Sequence, residues 1–149
     1  MTEKPLFDQE DVNFSSGMAA FAAKQFSRAM QFLSPLADKG NLEAQHRLAI
    51  MHQNGLGVVR NEQLAFEWML KAAQLGHALA QHGVGFMYME GDCVEKNAQE
   101  AVKWFSLAAE QGLAGSQTTL ALMYEEGQGI EKNPALAQKW YARAGFDRN

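Results

Sequence analysis

A single cysteine, Cys93, leaves the chain without any internal disulfide, so its stability has to come from packing. No apolar run approaches the roughly 20 residues that a membrane-spanning helix needs. The opening MTEKPLFDQED lacks the apolar core of a secretory signal. Basic residues are also few: 13 Lys and Arg stand against 17 Asp and Glu, for a net charge of −4 with no basic block. That pattern lacks the electrostatic footprint of a nucleic-acid or anionic-membrane binder. The expectation is a cytoplasmic protein that neither binds nucleic acid nor inserts into a membrane. A 47% hydrophobic content is ample for a packed core, which argues against disorder.

What is present is a repeat. Gly40, Gly76 and Gly112 lie 36 residues apart, as do Gly55, Gly91 and Gly127, then Asn61, Asn97 and Asn133, then Trp68, Trp104 and Trp140. Residues 41–76 and 77–112 share thirteen identities in 36 without a gap, and 77–112 shares thirteen more with 113–148. Chance would give about two or three. Each unit reads as two helices. Ala44, Leu48, Met51 and His52 form an apolar stripe at helical spacing, repeated as Ala80, Val84, Met87 and Tyr88 and again as Ser116, Leu120, Met123 and Tyr124. The links GLGVVRN, GDCVEKN and GQGIEKN follow, each with one apolar anchor (Val58, Val94 or Ile130). Asn61, Asn97 and Asn133 stand where an N-cap belongs, with Pro134 at a first helical position. Ala65, Trp68, Met69 and Ala72 give the second helix its buried face, and Gly76 and Gly112 end it. A shorter unit opens the chain, after residues 1–10 that read as an N-terminal arm. One domain spans 11–149, with units at about 11–40, 41–76, 77–112 and 113–149.

The pattern Ala-x₃-Leu-x₂-Met-Tyr-x₂-Gly-x-Gly-Val followed by Ala-x₂-Trp-x₃-Ala-Ala-x₂-Gly resembles the Sel-one-like repeat family, a branch of the tetratricopeptide-like helical repeats found in bacteria. The phrase Ala-x₃-Leu-x-Pro-Leu-Ala-x₂-Gly from Ala29 to Gly40 resembles the family's opening unit. The departures are Cys93 for the second link glycine, His52 for the tyrosine, and Gly145 within the last Ala-Ala pair. The resemblance implies an all-α, right-handed α-solenoid of antiparallel helix pairs: about four repeats and eight main helices. It also implies an adaptor or scaffold without catalysis of its own. By analogy with tetratricopeptide grooves, the partner-facing positions fall on His46 and Ile50, then His82, Phe86, Met89 and Glu90, then Thr118, Leu122, Glu125 and Glu126. An apolar centre with an acidic edge suits a protein or peptide with basic flanks.

Catalytic and metal chemistry finds little footing. His46 and His82 occupy equivalent positions in adjacent units, about 10 Å apart by helix packing, but the third unit offers Thr118 and no further ligand, short of the three or four that zinc needs. His77 falls in an inter-unit turn. Cys93, beside Asp92 and Glu95, sits where negative charge blunts a thiolate and reads as a tolerated glycine replacement. Glu90, Glu125 and Glu126 read as a solvated rim, without the burial that would turn a pair of them into an acid and a base. No catalytic, cofactor or metal residue is expected. An immunity or inhibitor protein that covers an effector enzyme is the alternative function, with a hydrolase or metalloenzyme a distant third. The final ARAGFDRN shows no capping helix, which predicts exposed faces on Trp140 and Tyr141 and a possible homodimer through that end.

Overall fold

A computed structural model describes residues 8–146. Among them are eight helices and no strand: α1 (Gln9–Ala22), α2 (Phe26–Asp38), α3 (Leu42–Asn54), α4 (Glu62–Gln74), α5 (Ala78–Glu90), α6 (Ala98–Glu110), α7 (Ala114–Glu126) and α8 (Pro134–Arg143). The chain is an all-α helical-repeat solenoid of helix pairs, as its periodicity predicts. None of these helices is long and apolar enough to cross a membrane. α1 begins with Asp8 as its N-cap, so its first turn falls within the stretch read as an arm, and residues 1–7 lie outside the described residues.

The helices gather into two compact units, one up to Trp68 and one from Met69 onward. In the first, α1 packs on α2 and α2 on α3 around fully buried Ala29, Leu33 and Ala44, flanked by Phe21, Phe26 and Trp68. In the second, α5 packs on α6, α6 on α7 and α7 on α8 around Phe105, Leu120, Trp140 and Tyr141. Helices approach closely where a side chain is missing. A Cβ added to Gly85 would meet the Phe105 ring at 2.8 Å, so the small residue in α5 makes room for the aromatic in α6.

Local chemistry sets each boundary. The Oδ1 atoms of Asn41, Asn61, Asn97 and Asn133 accept from the backbone N–H of Ala44, Leu64, Glu100 and Leu136 at 2.9–3.1 Å. His77, expected only in a turn, is itself the cap of α5, its Nδ1 accepting from Ala80 N at 3.1 Å. Second helices close with a repeated Schellman pair. Gly40 N donates to Ala37 O and Asn41 N to Leu36 O, and the same two bonds recur 36 and 72 residues later. The links are tied as well: Asn61, Asn97 and Asn133 donate backbone N–H to the carbonyls of His52, Tyr88 and Tyr124, each at 2.9 Å.

One polar side chain is built into every junction. Gln45, Gln81 and Gln117 are buried, and each Nε2 donates to the carbonyl eight residues earlier, Ala37, Ala73 or Ala109, at 3.0–3.2 Å. Those carbonyls lie in the last turn of a second helix, where intrahelical donors have run out. Across α5 and α7 a further bond joins His82 Nδ1 and Ser116 Oγ at 2.8 Å, with the His82 ring tilted against Phe105.

The links explain Cys93. Its φ is +64°, matching Gly57 (+71°) and Gly129 (+76°) at the equivalent positions. Gly129 lies so close to α6 that a Cβ on it would stand 2.6 Å from that of Ala98, and Gln99 Nε2 donates to its carbonyl at 3.1 Å. A cysteine held in the left-handed region costs roughly 1–2 kcal/mol of backbone strain.

Three outcomes follow from this packing. Gln117→Leu keeps the bulk but removes one of the donors to the Ala109 carbonyl, which keeps the Gly112 N–H, and should lower unfolding free energy in urea by about 0.5–1.5 kcal/mol; an unchanged midpoint would show the bond to be dispensable. Cys93→Gly should raise stability by about 1 kcal/mol, read as a higher melting temperature. Burial holds the His82 imidazole below its ordinary value of 6.5, so the folded state binds fewer protons than the unfolded chain. Its contribution is therefore complete above about pH 6.5 and drains away as the pH falls below that value. His82→Gln should flatten this part of the stability profile, and a profile as steep as wild type would exclude His82 as its source.

Candidate functional site

The first helices of the second unit, ALAQHGVGFMYME and AGSQTTLALMYEE, contain no lysine or arginine. Their inward faces carry Ala80, Val84, Met87, Leu120 and Met123 into the core. Their outward faces keep large apolar groups in solvent: Leu79, Phe86 and Leu122 are each over 40% exposed. Acidic residues collect at the C-terminal ends, as Glu90 in α5 and Glu125 and Glu126 in α7.

At that end of the pair lies a cleft of about 860 Å³. Its apolar surface comes from Met89 of α5, Leu122 and Met123 of α7, and Ala98 at the start of α6. Glu90 and Glu126 stand on its edge with Lys96 of the link. Asn97, Gln99, Thr119 and Gln128 add neutral polar groups. The two carboxylates enter from equivalent positions 36 residues apart, immediately before the left-handed glycine caps Gly91 and Gly127.

Four of the ten residues expected to face a partner therefore meet in one cleft: Met89, Glu90, Leu122 and Glu126. Phe86 is exposed on α5, one turn before Glu90. His82 and Thr118 lie on the same two helices but are engaged internally. His82 is half-buried against Phe105 and Ser116, and the Thr118 hydroxyl donates to Ala114 O at 3.0 Å. Glu125 accepts a hydrogen bond from the buried Tyr141 hydroxyl and so turns towards α8. In the first unit, His46 is buried and Ile50 half-buried on α3.

Sequence reasoning missed Lys96, Gln99 and Thr119. Lys96 comes from the link and Gln99 from the following helix, which a groove drawn along first helices alone cannot include, while Thr119 lies on α7 one position away from the expected Thr118. A signal for the link was available in the identical Glu-Lys-Asn at 95–97 and 131–133.

The exposed C-terminal rings expected from the sequence are not found. Trp140 and Tyr141 are each only 5% exposed. The Arg143 guanidinium lies 4.5 Å from the Trp140 ring centre, and Phe146 packs edge-on against Tyr141 at 6.3 Å. The Schellman turn at Gly145, with Phe146 N donating to Tyr141 O, folds the chain back to make that contact. Removing exposed rings also removes the reason for an end-on homodimer.

Comparison with known proteins agrees with this architecture. The Sel1 repeat model matches residues 42–77, 78–113 and 114–145. No curated protein sequence matches the chain. Among solved structures, a Sel1 repeat protein from Oxalobacter formigenes is 37% identical with a TM-score of 0.82, over 88% of this chain and 54% of that one. The c5321 protein, a protective antigen of uropathogenic Escherichia coli strains with an SLR fold, is 34% identical with a TM-score of 0.85, over 91% of this chain and 30% of that one. The Helicobacter pylori cysteine rich protein B is 21% identical, with a TM-score of 0.63 over 80% of this chain and 86% of that one, and shares the fold. The chain thus spans about half of the Oxalobacter protein and less than a third of the E. coli antigen. On the three matched repeats and these identities, the chain belongs to the Sel1 repeat family.

Proposed function

We propose that this protein is a non-catalytic interaction module, an adaptor or scaffold that binds a segment of another protein on the outward face of α5 and α7. Sel1 repeat proteins are generally protein-interaction modules, and this face has the matching chemistry. The carrying observation is the 860 Å³ cleft lined by Met89, Leu122 and Met123 and continued along α5 by exposed Phe86. Phe86 and Leu122 are held in water on adjacent helices, and burying them against a partner contributes about 25 cal/mol per Å² of apolar area. A rigid helical face also presents them with little entropy left to lose.

The local chemistry does not favour catalysis. Glu90 and Glu126 are exposed, the one half-buried cysteine hydrogen-bonds to the neighbouring Asp92 at 3.6 Å, and His82 is occupied in packing.

The test is recovery of partners from the native cell by tagged wild type, Phe86→Ala and Glu126→Lys. Both variants should keep the wild-type circular dichroism and lose most of the recovered partner, since truncating a central aromatic at an interface costs on the order of 2 kcal/mol. Equal recovery by all three would rule out this face.

A further inference from the structure

The acidic groups at the cleft stand where helix physics disfavours them. A helix C-terminus carries partial negative charge, so carboxylates in the last turn are unfavourable and cations are favoured. α5 ends on Glu90 and α7 on Glu125-Glu126, and neither has a basic residue in its last turn. The same second unit shows the ordinary remedy elsewhere: Glu110, at the end of α6, is bridged by Arg143 at 3.2 Å. Glu125 receives the Tyr141 hydroxyl. Among the described residues no ion pair or hydrogen bond reaches the Glu90 or Glu126 carboxylate, and both residues line the cleft beside an aliphatic floor. A cationic ligand would offset the unfavourable placement of this pair.

Resting on the interaction reading above, we propose that the cleft is a receptor for a lysine or arginine side chain of the partner protein, set next to an apolar residue of the same segment. The alkyl stem lies on Met89, Leu122 and Met123, and the cationic head sits between Glu90 and Glu126 at the two helix ends. Long basic side chains divide in this way, with the stem on apolar surface and the charge in the polar rim. Two carboxylates and two negative helix ends select the sign of the ligand. Lys96 on the same rim leaves the edge with a single net negative charge, so one cationic group balances it. Gln99 and Thr119 line the same cleft but already donate to Gly129 O at 3.1 Å and Gly115 O at 2.8 Å, so recognition falls to the carboxylates and the apolar floor.

The probe is a displayed library of random peptides of about twelve residues, panned on the full chain. Recovered peptides are then synthesised and titrated by fluorescence anisotropy against wild type, Glu90→Gln/Glu126→Gln and Leu122→Ser. The expected result is enrichment of Lys or Arg beside Leu, Met or Phe, with affinity falling about tenfold in the double Gln variant and weakening with salt. Leu122→Ser should weaken the same peptides. Exposed positions are substituted throughout, and an unchanged thermal melt confirms that each variant folds. Peptides that depend on Leu122 but show no basic enrichment, or that ignore the double variant, would overturn the cation receptor and leave the interaction module standing. Recovery of no peptide would overturn the receptor, and together with equal pull-down by the groove variants it would overturn the module too. Spermidine is the control for a free cation with alkyl spacers: binding as tight as that of the peptides would overturn the assignment to a partner protein.

Discussion

A buried amide every 36 residues is the constraint on which the rest of this fold rests. Gln45, Gln81 and Gln117 lose their water on folding, and a buried amide without a partner costs on the order of 1–3 kcal/mol. Each amide nitrogen finds the carbonyl of Ala37, Ala73 or Ala109, a group past the last intrahelical donors that also receives the turn N–H of Gly40, Gly76 or Gly112. The bond satisfies the amide nitrogen and fills the carbonyl's second acceptor position. Because both ends are fixed, the bond also sets the depth and rotation at which the first helix of one pair meets the second helix before it. Apolar packing alone is less selective, since Ala-rich surfaces slide at little cost. Gln81 goes further, its Oε1 accepting from Gln111 Nε2 at 2.9 Å while the same amide reaches Gly76 O at 3.0 Å.

Once that junction is fixed, the turns around it follow. The Schellman glycine places the next residue to donate back into the ending helix, and the same residue caps the helix that follows: Asn41 does both, and so does His77. At the far end of each pair a left-handed glycine stops the first helix, and the Asn-capped link returns to the carbonyl of His52, Tyr88 or Tyr124. The cavities left at this end are set by how the links lie, and the cleft between α5, α6 and α7 is one of them.

Much of this was legible in the sequence because identity at fixed spacing reports backbone geometry. The Asn caps, the glycine stops and the apolar stripes are local features, decided within a few residues, and a 36-residue repeat prints them three times. The glutamine bond was written there equally plainly, as an identical residue in all three units, yet it reads as an ordinary polar position until its burial is known. His77 shows a different limit: its ring nitrogen stands in for the asparagine oxygen that caps α3, a role residue type does not announce. Trp140 and Tyr141 were misjudged because their cover comes from Arg143 one turn on in α8 and from Phe146 beyond the Gly145 turn. The candidate site was half legible. Met89, Glu90, Leu122 and Glu126 lie on predictable helix faces, whereas Lys96 and Gln99 join them only through the path of the link.

Comparing the units with one another separates structure from use. Positions 45, 81 and 117 are all Gln, and 61, 97 and 133 all Asn, because each unit faces the same backbone problem. The outward positions diverge over the same distance: Ile50, Phe86 and Leu122 differ in shape, and Asn54, Glu90 and Glu126 differ in charge. A solvated rim with no task would favour residues that suit a helix end, as Asn54 does by donating to Ile50 O at 2.9 Å. Glu90 and Glu126 do the opposite in two successive units, beside an apolar cleft. On the proposed reading, the acidic ends of α5 and α7, unlike the Asn54 end of α3, answer to a cation brought in by a partner, the simplest group that reverses the local cost.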